Sequence, residues 1–225
     1  TLSSRSEVDL ERTINFPTSN QTWTGLPIIA ANMDTIGTYE MYQVFSQYKI
    51  ITAFHKFYTL EDYQQMSPNL DTNYFMVSTG ISKADMERTE EILNNVSAKF
   101  ICIDVANGYM DKLVDFCSEM REKFPNHIIV AGNVVTREVS EELIIKGKVD
   151  IVKVGIGPGS ACTTRLKTGV GMPQMSAISE CADAAHGMNG FVIGDGGITC
   201  PGDVSKGFGA GADFIMIGGQ FSGHD

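Results

Sequence analysis

A run of glycines leads directly into a cysteine in the second half of the chain. Residues 155–165 read Gly-Ile-Gly-Pro-Gly-Ser-Ala-Cys-Thr-Thr-Arg. Glycines around a proline let the backbone turn sharply and approach a ligand closely. Ser160 offers a hydroxyl and an amide to a phosphate, and Arg165 supplies a cation three residues after Cys162, which favours the nucleophilic thiolate. The pattern predicts a reactive cysteine; the alternative is a buried, inert cysteine beside a glycine turn.

Two glycine pairs stand further along the chain, each after a short apolar run. Gly196 and Gly197 follow Asp195, and Gly218 and Gly219 follow the last run. Backbone N–H groups in such turns bind phosphate, and an acid placed like Asp195 accepts hydrogen bonds from ribose hydroxyls. Tight turns with a capping aspartate are the alternative interpretation. Taken together, the two pairs predict a phosphorylated ligand.

These residues need elements that bring them together, and the apolar pattern predicts those elements. Eight short runs are apolar on both faces, as buried parallel strands are. They are 27–31, 50–54, 74–78, 100–104, 128–132, 150–154, 191–194 and 214–218. Most follow one another at about the length of one βα unit, which predicts an α/β fold, the TIM (β/α)8 barrel, with the glycine motifs at the carboxyl ends of its strands.

Segments with helical periodicity lie between the predicted strands. They are 84–94, 111–124, 137–146, 176–185 and 202–208. An additional stretch, 155–173, separates the sixth strand from the next helix, and extra length of this kind lies on the face of a barrel where chemistry occurs. We interpret residues 1–25 as an N-terminal leader with a turn near residues 18–20, and the whole chain, 1–225, as one barrel domain.

Composition excludes several classes of protein. The chain has 225 residues, 43% of them hydrophobic, and a net charge of −10, which argues against nucleic acid and anionic membranes as partners. No apolar run approaches the ~20 residues of a membrane span. The five cysteines show no CxxC spacing and suit a reducing compartment. With no signal-peptide pattern either, we expect a cytoplasmic protein.

The cysteine loop and the segments around it resemble a known family. Residues 155–165, with the run Lys-Thr-Gly-Val-Gly at 167–171 and Pro-Gln at 173–174, resemble the active-site loop of the IMP dehydrogenase/GMP reductase family. Further stretches resemble its GMP reductase branch, and the likeness covers nearly the whole chain. They are 30–35, 104–109, 131–136, 181–187 and 208–214.

The resemblance implies an NADPH-dependent reductive deamination of GMP to IMP and ammonia. Cys162 would attack C2 of the guanine ring and form a thioimidate, while Thr164 relays a proton in concert with a glutamate. IMP dehydrogenase, which oxidises IMP with NAD at the same cysteine, is the alternative within the family. A nucleotide-binding barrel without turnover is the alternative outside catalysis.

The resemblance also carries site residues over to this chain. Those implied for GMP phosphate and ribose are Ser160, Asp195, Gly196, Gly197, Gly218 and Gly219. Those implied for NADPH are Ser4, Arg5, Lys56, Asp104, Val105, Ala106, Ile156 and Gly157. A monovalent-cation site for K⁺ is implied at Gly157, Gly159, Cys162 and Arg165. The family further implies a homotetramer.

In the family, the catalytic glutamate, a mobile flap and further ligand contacts follow the eighth strand. Here the sequence ends at His224 and Asp225. We therefore expect the flap, the last barrel helix and the glutamate to lie outside these 225 residues.

Overall fold

A computed structural model describes residues 4–223, and its centre is a closed barrel of eight parallel strands. The barrel closes where Ile215 on the last strand pairs with Ile28 on the first. The prediction of a TIM (β/α)8 barrel is confirmed. The barrel strands are β3 (Ile28–Ala30), β4 (Ile51–Ala53), β5 (Phe75–Thr79), β6 (Phe100–Asp104), β7 (Ile128–Val134), β8 (Ile151–Val154), β9 (Phe191–Asp195) and β10 (Phe214–Ile217).

Helices alternate with the barrel strands and cover the outside of the barrel, except for the short α6, which lies in the loop after β8. They are α1 (Tyr39–Phe45), α2 (Leu60–Met66), α3 (Lys83–Asn95), α4 (Asp111–Lys123), α5 (Arg137–Ile145), α6 (Thr164–Thr168), α7 (Gln174–Gly187) and α8 (Pro201–Gly209). The five predicted helices are present with ends shifted by at most two residues, whereas α1, α2 and α6 were not predicted. Side-chain hydrogen bonds fix where several helices begin. Thr59 and Asp62 form a capping box at the start of α2, and Ser82 and Asp85 form one at the start of α3.

The N-terminal segment is more than the leader that the sequence suggested. Two antiparallel strands, β1 (Arg12–Phe16) and β2 (Gln21–Gly25), flank the turn expected near residues 18–20. Alternation along β1 and β2 turns Phe16 and Trp23 inward, where both are buried. The Trp23 ring lies 5.1 Å from Phe214 and the Phe16 ring 4.9 Å from Phe191. Because these partners begin β9 and β10, the hairpin closes the amino-terminal end of the barrel.

A buried ion pair lies near the same end. Arg121 on α4 holds Asp150 with an Nη2–Oδ2 distance of 2.5 Å, and both side chains are buried. The backbone N–H groups of Ser19 and Ile129 also donate to the Asp150 carboxylate. The remaining N–H groups of Arg121 donate to backbone carbonyls, including that of Lys148. The pair therefore ties the hairpin, α4 and the strands together far from the catalytic face.

Asp150→Asn is expected to lower the free energy of unfolding by about 3–5 kcal/mol, because it leaves the Arg121 guanidinium buried without its counter-charge. Urea unfolding measures the loss. Lys146→Gln is the matched control, since its ion pair with Glu142 is exposed on α5 and contributes about 0–1 kcal/mol. A loss below about 1 kcal/mol for Asp150→Asn would contradict the structural role given to the pair.

The structure bears on two expectations from composition. Within residues 4–223, no helix combines the length and the apolar character that crossing a bilayer requires. All five cysteines are free thiols, as their spacing indicated.

Candidate active site

Cys162 lies at the carboxyl-terminal face of the barrel, in the long connection between β8 and α7. Part of the predicted loop is the short helix α6, whose first residue is Thr164. The Cys162 side chain is exposed, so the alternative of a buried, inert cysteine is wrong. Its Sγ lies 3.2 Å from the Thr164 hydroxyl, and its amide donates to the carbonyl of Gly159. The two residues predicted to carry the chemistry are thus in direct contact.

The surroundings of Cys162 favour its thiolate. Hydrogen bonding from the Thr164 hydroxyl and amide lowers the pKa of the Cys162 thiol below its ordinary value, with smaller contributions from the Gly157 backbone and the charge of Arg165. Burial acts in the opposite direction on the three buried thiols, raising the pKa of Cys102 to about 12 and that of Cys181 to about 11. Cys162 is therefore the thiol prepared for nucleophilic attack.

Arg165 has a second role, which is to shape the loop. Its Nη2 donates to the carbonyl of Met172 at 3.0 Å, so its side chain crosses the loop. A Cβ on Gly157 would lie 2.8 Å from Arg165 Cγ, and one on Gly171 would lie 2.6 Å from Arg165 Nε. Gly157 also has a φ of +79°, which an L side chain rarely adopts. The two glycines therefore make room for the arginine that closes the loop.

The predicted phosphate-binding residues come together above the barrel. A Cβ on Gly219 would lie 3.9 Å from the Ser160 hydroxyl, which places the end of β10 beside the cysteine loop. On the other side, Cβ atoms on Gly196 and Gly197 would lie 3.1 and 3.3 Å from Pro158. The motifs after β8, β9 and β10 thus line one region, with backbone amides free of side-chain bulk as a bound phosphate requires.

Asp195 ends β9 inside a polar network that the sequence did not indicate. The Asn133 side-chain amide donates to Asp195 Oδ2 at 2.8 Å, and Gln174 donates to the Asp195 carbonyl at 3.1 Å. Lys153, buried on β8, lies 2.5 Å from the same Oδ2. Asn133 and Lys153 therefore both bond the same oxygen of Asp195, and the Asp195 side chain remains 19% exposed.

Asp104 ends β6 on the other side of the barrel mouth, which is the opening at the carboxyl ends of the strands. Its Oδ1 lies 2.8 Å from Lys153 Nζ, and the Asn32 amide donates to its Oδ2 at 2.9 Å. Burial raises the pKa of the Asp104 carboxyl, but Lys153, Asn32 and the charge of Lys56 outweigh it and lower the pKa. Sequence reasoning missed the four residues that hold Asp104 and Asp195, which are Asn32, Asn133, Lys153 and Gln174. A lone lysine inside the apolar strand Ile151–Val154 was the one available signal.

The residues predicted for NADPH are only partly brought together. Lys56 is exposed after β4, and its charge helps to lower the pKa of Asp104. The backbone N–H of Val105 donates a hydrogen bond to the carbonyl of Gly132. Ala106 is exposed beside Val105. Ser4 and Arg5 lie outside the contacts described above: Ser4 caps the short 3₁₀ helix Arg5–Glu7, and its hydroxyl bonds to Ser6.

Two features of the mouth fit a nicotinamide cofactor. The amide oxygens of Asn133 and Gln174 are buried and lack a hydrogen-bond partner among residues 4–223, and an amide-bearing ligand could donate to such acceptors. Lys56 offers a cation for a phosphate of the cofactor. Ile156 is buried, and its carbonyl accepts from Met172, so its contribution to a ligand would come from the backbone.

The proposed K⁺ site has oxygen donors of the right kind. Among the four residues predicted for it, the carbonyl of Gly159 already accepts from Cys162 and that of Arg165 accepts from Gly169. A carbonyl oxygen has two lone pairs, so each of these two keeps one for a further partner such as a cation. Within residues 4–223, no cluster of three or more histidine, cysteine or acidic side chains could hold a metal ion.

The depressed pKa of Cys162 has a direct chemical readout. Alkylation by iodoacetamide is expected to show a midpoint below the value of about 8.5 of an unperturbed thiol, because the thiolate is the species that reacts. A Cys200→Ser background removes the other exposed thiol, and mass spectrometry measures the rate at Cys162.

Thr164→Val is expected to move this midpoint to higher pH, since the variant lacks the hydroxyl that stabilises the thiolate. Thr164→Ser keeps the hydroxyl and serves as the control. An unchanged midpoint in the valine variant would show that Thr164 does not tune the thiol.

The geometry defines a class before any comparison is made. A (β/α)8 barrel with glycine turns after its last strands and an exposed thiol of lowered pKa beside them matches the class of phosphate-binding barrels, with Cys162 as a candidate nucleophile. The chain belongs to the IMP dehydrogenase / GMP reductase family, because the model of the IMP dehydrogenase / GMP reductase domain matches residues 3–225. The resemblance inferred from the motifs is therefore confirmed.

Individual relatives agree. The chain is 58% identical to GMP reductase 1 of Mus musculus, over 99% of this chain and 65% of that protein. It is 56% identical to a GMP reductase of Citrobacter koseri, over 100% of this chain and 66% of that protein. An inosine 5′-monophosphate dehydrogenase structure from Legionella pneumophila superposes with a TM-score of 0.85 at 33% identity, covering 98% of this chain and 66% of that one. The chain thus spans slightly less than two thirds of these relatives.

Proposed function

We propose that the protein containing this chain is a GMP reductase, which converts GMP to IMP and ammonia with NADPH. The observation that carries the proposal is the contact between the exposed Cys162 thiol and the Thr164 hydroxyl. This contact lies in the loop that also carries Ser160, next to Gly219 in the turn after β10. This arrangement offers a nucleophile and a proton relay next to a phosphate-binding region. The names of the relatives that are 56–58% identical favour GMP reductase over IMP dehydrogenase.

In the proposed reaction, the Cys162 thiolate attacks C2 of the guanine ring, and the 2-amino group then leaves as ammonia. The C2–S bond formed and the C–N bond broken leave a thioimidate on the enzyme. A poor leaving group such as this amine departs after protonation. The Thr164 hydroxyl has too high a pKa to be the acid near neutrality, so it relays a proton that we assign to the family's glutamate.

NADPH, when bound, supplies the hydride that reduces C2. The Cys162 thiolate then leaves C2, which releases IMP and restores the nucleophile. In balance, GMP, NADPH and two protons give IMP, NADP⁺ and ammonium. Ser160 with the glycine turns at 196–197 and 218–219 would hold the phosphate, and Asp195 the ribose.

The cofactor would be held on the side of the mouth that carries Lys56, Asp104, Val105 and Ala106, with the Ile156 and Gly157 backbone and the segment of Ser4 and Arg5. Carbonyls of Gly157, Gly159, Cys162 and Arg165 would hold K⁺ and so fix the cysteine loop. We further propose a homotetramer in the cytoplasm, where the five free thiols would stay reduced.

The test is a pair of assays on the full-length protein. Loss of NADPH absorbance on adding GMP, with one ammonium and one IMP formed per NADPH, would support the proposal. Reduction of NAD by IMP without activity on GMP would assign the protein to IMP dehydrogenase instead. Binding of GMP without turnover in either assay would favour the non-catalytic barrel.

A further inference from the structure

The most unusual group that the proposed reaction leaves unused is Lys153. It lies on β8, where its neighbours in Ile151–Val154 are all buried and apolar, and its own side chain is 2% exposed. Burying an ammonium is costly unless carboxylates and hydrogen bonds compensate it. Gly132 on the neighbouring strand β7 leaves room for this residue, because a Cβ there would collide with the Lys153 carbonyl oxygen and lie 2.8 Å from Lys153 Cβ. The fold is thus built to keep this one charge inside the barrel.

Two carboxylates compensate the charge, and they come from different sides of the mouth. Lys153 Nζ lies 2.8 Å from Asp104 on β6 and 2.5 Å from Asp195 on β9. These strands are separated in the barrel by β7 and β8. The Asp104 and Asp195 side chains are 37% and 19% exposed, so each still reaches the space where ligands enter.

Amide side chains fix the outer sides of the same bridge. Asn32 donates to Asp104 and Asn133 donates to Asp195, each on Oδ2. Without the ammonium, two carboxylates this close together would repel each other and separate, or one would take up a proton. The position and charge of each aspartate therefore depend on the other through Lys153.

We propose that Lys153 is a positioning residue that joins the nucleotide side of the mouth, through Asp195, to the cofactor side, through Asp104. This inference rests on the proposed function, since that function assigns a ribose to Asp195 and NADPH to the region of Asp104. Lys153 itself is only 2% exposed, so it acts through the two carboxylates.

Binding of each ligand in the absence of the other provides the test, with calorimetry on the full-length protein. Asp195→Asn is expected to lower the affinity for NADPH by about fivefold or more. Asp104→Asn is expected to lower the affinity for GMP by about the same factor. Lys153→Met should weaken both ligands, and Asp104→Asn should have no further effect on GMP in that background. Lys153→Arg, which keeps the charge, should restore part of both affinities.

Asp150→Asn is the matched control, because it also breaks a buried ion pair but at the opposite end of the barrel. It should lose stability without a change in either affinity. If each aspartate variant weakens only the ligand on its own side, or if Asp150→Asn weakens both ligands equally, the inference is overturned. Should Lys153→Met fail to fold, the two aspartate variants still decide it.

Failure of the proposed function is distinguishable from failure of this inference. A protein that binds GMP and NADPH but forms no IMP refutes the reductase assignment, while the two cross-effects on affinity still decide the role of Lys153.

Discussion

Cys162→Ala is expected to reduce turnover of GMP by about 10⁴-fold or more, while the Kd for GMP changes by less than about tenfold. The variant removes the sulfur atom that is proposed to form the covalent bond to C2. The residues proposed to hold phosphate and ribose, Ser160, Asp195 and the glycine turns, remain in place. Steady-state NADPH consumption measures the first effect, and calorimetry with GMP measures the second.

Cys200→Ala is the control for this experiment, because Cys200 is the other exposed cysteine and precedes α8 rather than lying in the long loop. It should retain turnover close to that of the unaltered protein. Acid-quenched samples should show a nucleotide adduct on the peptide containing Cys162 in the unaltered protein and none in the alanine variant. Sustained turnover without that sulfur would rule out covalent catalysis.

The fold was largely predictable because buried parallel strands have a strong local signal. The run at 100–104 matches β6 (Phe100–Asp104), and the other seven runs each contain most of a barrel strand. The helices α1 and α2 were missed because each is seven residues long, which leaves too few turns for a clear apolar period. The inward faces of β1 and β2 depend on the barrel that they close, so a local pattern could not show them.

The candidate site was predictable where one rule governs it and not elsewhere. Carboxyl ends of parallel strands meet at one face, which is why Ser160 and Gly219 could be expected together. The polar network depends instead on partners distant in sequence. Lys153 and Asp195 are 42 residues apart, and Asn32 and Asp104 are 72 apart. Pairings of this kind follow from barrel geometry that no local spacing encodes.

Thr164→Val is expected to slow release of ammonia from GMP by about 10²–10³-fold, because valine has a similar shape but cannot relay a proton to the leaving amine. The substitution also removes a hydrogen bond to Cys162, which would slow any step that needs the thiolate. Rates are therefore compared at a pH above the alkylation midpoint of the variant, where both proteins hold Cys162 as the thiolate.

The reverse reaction separates the two chemical steps. Attack of Cys162 on C2 of IMP with hydride transfer to NADP⁺ gives NADPH and the same thioimidate, without any protonation of an amine. Stopped-flow formation of NADPH from IMP and NADP⁺ should slow by less than about tenfold in Thr164→Val, and Thr164→Ser should be nearly unchanged in both steps. Equal slowing of ammonia release and hydride transfer would mean that Thr164 serves only the thiolate. Selective slowing of ammonia release would instead assign the hydroxyl beside Cys162 to proton transfer, the step in which this reaction differs from the oxidation of IMP.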